Sequence, residues 1–128
     1  MNGEMSTWEE AVQWLRNQPD QNELIRACFY DDPLRDAAER YYKSTEWQAV
    51  HQLFGRKRGA TLDLGAGRGI SSYALARDGW KGSALEPDPS NIVGAGAIRA
   101  LAQETSLLIS CMDVRCRIMI LENTGDHD

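Results

Sequence analysis

Residues 60–71 read ATLDLGAGRGIS: a short apolar run carrying one acid, Asp63, then three glycines in five positions at Gly65, Gly67 and Gly69. The run has the length of a buried strand, and the glycines demand a sharp bend. Behind them, ISSYALARDG (70–79) has helical spacing and stops on a glycine. Strand, tight turn and helix in that order form the first unit of an α/β sheet.

The alternation continues downstream. KGSAL (81–85) is a second strand, EPDPS (86–90) a turn, and NIVGAGAIRALAQET (91–105) another helix. Gly94 and Gly96 each weaken that helix by up to about 1 kcal/mol against alanine. SLLISC (106–111) supplies a third strand and RIMIL (117–121) a fourth. Strands alternating with helices imply a parallel sheet with right-handed crossovers. The expected fold is therefore α/β, a partial Rossmann-like parallel sheet of about four strands.

Upstream, residues 1–55 read as a helical segment and 56–128 as the sheet domain. Ser6 with Glu9, or Thr7 with Glu10, offers a capping box for a helix through Trp8, Ala11, Val12 and Leu15. Asp20 and Glu23 repeat the signal ahead of Leu24, Ile25, Cys28 and Phe29. Asp32-Pro33 opens a third helix, with proline where its missing N–H costs nothing. Ser44 or Thr45 caps a fourth, through Trp47, Val50 and Phe54 to Gly55. The aromatic residues Tyr41, Tyr42 and Trp47 fit either core packing or a lid over a ligand.

The totals exclude several classes. A chain of 128 residues with 42% hydrophobic and 26% charged residues is an ordinary globular mixture. A net charge of −5 argues against nucleic acid as a partner. Arg56-Lys57-Arg58 is a solvated linker between elements rather than a phosphate patch. No run approaches the roughly 18 apolar residues of a membrane span, and MNGEMSTWEE lacks the features of a signal peptide. Cys28, Cys111 and Cys116 form no disulfide framework, which points to a reducing cytoplasm. Cys111 and Cys116 are too widely spaced for a zinc knuckle, and the histidines are only His51 and His127. No metal site is expected.

What the turn can hold follows from its position. Open α/β sheets bind ligands at the carboxyl ends of their strands. Gly65 and Gly67 let a ligand approach the backbone without meeting a Cβ, and the helix beginning near Gly69 offers unpaired N–H groups to an anion. Glu86 follows the second strand, 21 residues after Gly65, where an acid accepts hydrogen bonds from a ribose diol. Asp63 is costly to bury unless it has partners, such as turn N–H groups or a ligand ammonium. A nucleoside with an anionic end fits both features. A dinucleotide fold wants glycine or alanine where Ile70 stands, and no Gly-Lys-Ser/Thr follows as a Walker loop requires.

Asp63-Leu64-Gly65-Ala66-Gly67-Arg68-Gly69, followed by Leu85-Glu86-Pro87-Asp88, resembles the signature of class I S-adenosylmethionine-dependent methyltransferases. ERYYKSTEWQAVHQLF (39–54) is similar to the leading helices of the small-molecule enzymes of that family, and the resemblance covers roughly residues 33–106. It implies that Gly65, Ala66 and Gly67 run along the methionine part of S-adenosylmethionine, with Asp63 supporting the loop or the amino group. Glu86 would take the ribose hydroxyls, Pro87 and Asp88 would flank the adenosine, and Asp113 would lie near the adenine amine. A small-molecule methyl acceptor is the implied substrate. No catalytic residue is assigned.

The family's sheet has seven strands, and this chain has residues for about four. The expectation is a truncated cofactor-binding half whose reading frame is lost near residues 107–113. VRCRIMILENTGDHD would then be a shifted tail. An unfinished parallel sheet leaves a bare edge and an uncovered face. The N-terminal helices are expected to cover part of one face. A second chain, such as another copy joined through the exposed edge, or a rearranged tail is expected to protect the rest.

Overall fold

The computed structural model describes residues 6–112. Three parallel strands, β1 (Ala60–Leu64), β2 (Lys81–Leu85) and β3 (Ile109–Met112), lie in the order β1-β2-β3. Asp63 pairs in register with Ala84, and Leu64 with Leu85. The fourth strand expected at 117–121 lies outside the described residues. Six α-helices accompany the sheet: α1 (Trp8–Arg16), α2 (Asn22–Leu24), α3 (Leu34–Tyr42), α4 (Thr45–Phe54), α5 (Ile70–Arg77) and α6 (Ala95–Thr105). Among the described residues no helix is long and apolar enough to cross a membrane.

The helical segment follows its caps. Thr7 and Glu10 exchange the two hydrogen bonds of a capping box at the start of α1, at 3.1 and 3.0 Å. Ser44 Oγ accepts from the Trp47 amide, and Gly55 ends α4 with φ 59°. The second helix differs from expectation: after one turn at α2 it widens into a π-helix over Ile25–Phe29 and ends on Tyr30 in the left-handed region (φ 56°). Pro33 stands one residue before α3, at its N-cap, rather than inside it.

Helix α6 begins at Ala95, not near Asn91, and its glycines are there for space rather than by tolerance. A Cβ on Gly94 would lie 2.1 Å from the Asp88 carbonyl oxygen, and one on Gly96 would lie 2.0 Å from Asn91 Oδ1. The 86–94 turn folds flush against the start of α6, and alanine would not fit there.

Helices α5 and α6 connect neighbouring parallel strands in sequence, and right-handed crossovers place both on one face. On the covered face Ala84 is fully buried; Ile98 and Leu101 of α6 are likewise inaccessible. Helix α3 packs on the outside of this layer: Ala38, Tyr73 and Leu101 form one apolar cluster, and Trp47, Ala74 and Leu75 form another. The opposite sheet face receives no helix among the described residues. Leu62 is 54% exposed and Leu64 68%, and on this face only the central-strand Leu85 is buried.

One polar hub ties three helices at the far end of α5. The Asp78 carboxylate accepts from Tyr42 Oη (2.9 Å) and Trp47 Nε1 (3.0 Å), and it contacts His51 Nδ1 at 2.7 Å. Trp47 is buried in the core and Tyr42 packs against it, the first of the two roles the sequence left open. The basic run is exposed, with Arg58 laid over the Trp80 ring and donating to the Asp78 carbonyl.

Candidate functional site

The bend after β1 is built from three glycines in the positive-φ region, at 67° (Gly65), 57° (Gly67) and 87° (Gly69). Side chains other than glycine adopt this region at a cost, which explains the spacing. A Cβ on Gly65 or Gly67 would meet nothing within 4 Å, so the turn faces open space. Gly69 is different: its Cβ would stand 3.0 Å from Ile98, which shows α5 closely packed on α6.

The turn's amides are partly committed. The Gly65 N–H donates to the Leu85 carbonyl at 2.8 Å, continuing the β1–β2 ladder, and Ala66 shares that acceptor at 3.3 Å. The Gly69 N–H donates to the Ala66 carbonyl at 3.0 Å. The Gly67 N–H donates to Glu86 Oε1 at 2.9 Å. The anion site expected along bare amides is thus corrected: from Gly65 to Gly69, four of the five N–H groups already have acceptors. What stays available is the start of α5, which no side chain caps. The first turn of a helix has N–H groups without intrahelical acceptors.

Glu86 reaches from the end of β2 to the glycine turn, as its sequence position suggested. Its other oxygen, Oε2, accepts from the Asp88 amide at 2.9 Å. Asp88 in turn accepts from the Ser90 amide at 2.9 Å, and its carbonyl accepts from Ala95 at 2.7 Å. Asp88 therefore shapes the 86–94 turn, and Pro87 is exposed beside it. Asp63 points to the covered face, where Ser72 Oγ donates to its Oδ2 at 2.7 Å. Its partner is a side chain of α5, not a turn amide. Asp113 lies outside the described residues.

The helical segment reaches this end of the sheet through contacts that the motif did not mark. Arg68, at the crown of the turn, is 6% exposed. It donates to Asp32 and to the Tyr30 carbonyl (3.1 Å), and its guanidinium lies 4.8 Å from the centroid of the Phe29 ring. Burial, partly offset by Asp32, pulls the Arg68 pKa below its ordinary value. Arg16 grips Asp31 (2.6 Å) and Asp32 (3.0 Å), and Ser90 donates to Glu9 of α1. Tyr41 completes the approach: burial raises its pKa, and the Ser71 hydroxyl in the first turn of α5 opposes that rise. The arginine inside the glycine motif was the one sequence feature that could have pointed to this clasp.

Two surface cavities lie away from the turn. One, about 460 Å³, is lined by Glu23, Arg26, Ala27, Tyr30 and Arg40; the other, about 310 Å³, surrounds Asp78 and His51. Neither is lined by Gly65–Gly69 or Glu86. No family model matches the chain, nor does any curated protein or solved structure.

Proposed function

We propose that the chain is the cofactor-binding half of an S-adenosylmethionine-dependent methyltransferase with a Rossmann-like fold, acting on a small molecule. The observation that supports this reading is the 2.9 Å contact between Glu86 and Gly67, which brings a carboxylate and an open glycine turn together at the carboxyl ends of β1 and β2. The fit is of chemistry: a diol for the carboxylate, and an anionic amino-acid end for the uncapped start of α5.

When bound, the cofactor would supply an electrophilic methyl group on a sulfonium, so the protein needs no covalent nucleophile. The chain's own residues hold and orient. Glu86 exchanges a backbone donor for ribose hydroxyls, Gly65 and Gly67 leave room for close approach, and Asp63 with Ser72 fixes β1 to α5 beneath the turn. Arg68 anchors the helical segment to the turn through Asp32 and the Tyr30 carbonyl.

A second reading is a non-catalytic nucleoside-binding module. It rests on the same Glu86–Gly67 contact and open glycine turn and asks for no acceptor site. Calorimetry with S-adenosylhomocysteine tests the ligand class for both. The expected result is binding by the wild type and at least about a tenfold loss in Glu86→Ala, the worth of a charge-assisted hydrogen bond. Binding of NADH in its place would overturn the cofactor. Binding without methyl transfer to any acceptor would favour the module.

A further inference from the structure

We propose that two copies of this chain associate through β1, pairing antiparallel about a two-fold axis at Leu62. The argument begins with the free side of that strand. The Gly59 carbonyl accepts from Lys81 and the Gly65 amide donates to Leu85, both at 2.8 Å. With the parallel register between, the odd-numbered residues 59–65 face β2. The N–H and C=O groups of Ala60, Leu62 and Leu64 therefore point outward along an edge that no described strand occupies.

A two-fold axis through Leu62 matches these groups to themselves. Leu62 falls opposite Leu62 of the second copy, and Ala60 opposite its Leu64. Each is a pair in which both residues exchange N–H and C=O, giving about six hydrogen bonds over the five residues. The opposed side chains are all apolar and lie on the face without a helix, where Leu62 and Leu64 are more than half exposed. On the covered face the same register sets Thr61 opposite Asp63 of the second copy. Thr61 Oγ1 is buried without a hydrogen-bond partner in the single chain, and a rotation about χ1 would give it a carboxylate acceptor.

The edge also lacks the usual devices against pairing. β1 has no proline, no bulge and no outward-pointing charge; its one acid, Asp63, points to the covered face, where Ser72 holds it. Beyond the strand, the same register would carry the exposed Arg56 and Lys57 of one copy past residues 67 and 68 of the other, where Glu86 meets Gly67. Cations near that carboxylate would offset part of the repulsion between two chains of net charge −5.

Sedimentation velocity on the full chain at high micromolar concentration tests the proposal. The expected result is twice the chain mass for the wild type and a monomer for Leu62→Lys, which sets two ammonium groups directly opposite. The variant should keep the wild-type circular dichroism, because Leu62 is largely exposed in one copy. Leu53→Lys, at an 86% exposed position on α4, should remain a dimer. A monomeric wild type, or a dimer that survives Leu62→Lys, overturns the proposal. A monomer whose amides at 60, 62 and 64 resist hydrogen exchange would assign the edge to the chain's own residues beyond 112, and equally overturn it.

Discussion

Glu86 Oε1 accepts the Gly67 amide at 2.9 Å while its second oxygen accepts the Asp88 amide at the same distance, so one carboxylate joins the turns after β1 and β2. Both acceptors face N–H donors. In Glu86→Gln the amide NH2 must oppose one of them, and the expected cost is about 1–2 kcal/mol. Urea denaturation measures it. Stability equal to wild type would mean that the carboxylate does not brace the two turns.

The glycines at the two ends of the site should respond differently to alanine. Gly67→Ala meets open space and bears only the left-handed backbone penalty, about 1–2 kcal/mol. Gly94→Ala drives a methyl into the Asp88 carbonyl at 2.1 Å and should cost about 3 kcal/mol or more. Thermal unfolding of the pair gives the order directly. If the site reading holds, Gly67→Ala should also weaken S-adenosylhomocysteine binding by more than its effect on stability.

Arg68 and Asp32 should also be unequal partners. Asp32→Ala leaves a buried guanidinium with only the Tyr30 carbonyl and the Phe29 face, and it also takes one contact from Arg16. The expected loss is about 2 kcal/mol. Arg68→Met removes the charge, including an Nε that is buried without a partner, and keeps most of the volume; its expected loss is under about 1 kcal/mol. Chemical denaturation of both variants checks the ranking, and the reverse order would show that the cation is not desolvated.

Acid should loosen the far end of α5. Burial raises the Asp78 pKa, but hydrogen bonds from His51, Tyr42 and Trp47 together outweigh it, and the net shift is downward. A folded-state value below the unfolded one makes its stabilisation complete above about pH 4 and progressively lost as pH falls through the folded value. Glu39 acts in the same sense, lowered chiefly by the Tyr73 hydroxyl and then, against burial, by Arg77 and Lys43. Asp78→Asn should therefore flatten, not abolish, the fall in stability below pH 4, as followed by Trp fluorescence during urea unfolding at each pH. An unchanged slope would remove Asp78 from the acid response.

The elements legible in the sequence were those fixed locally. ATLDL and KGSAL became β1 and β2 at their expected bounds, and of the two cap candidates for each helix the structure uses Thr7 and Ser44. The position of Glu86 relative to the turn was legible too, because strand length and turn chemistry set it. What long-range packing decides was hidden. The π-helical widening before Tyr30 has no pattern of its own, and Asp63 finds Ser72 only once α5 lies under β1. The start of α6 was misplaced because Gly94 and Gly96 read as weak helix formers rather than as clearance for Asp88 and Asn91. Arg68 carried no role of its own in the glycine motif, because its burial depends on residues 29–32 arriving from afar.

Among the described residues, the strand that carries the glycine bend has a neighbour on one side only, and its outer backbone groups depend on whatever settles beside them. Opening of that margin would disturb Asp63 and the bend together, since both belong to the same five-residue segment and the turn that follows it. If two copies pair along this margin and the bend holds a nucleoside, each binding event would change the other's affinity by one and the same factor.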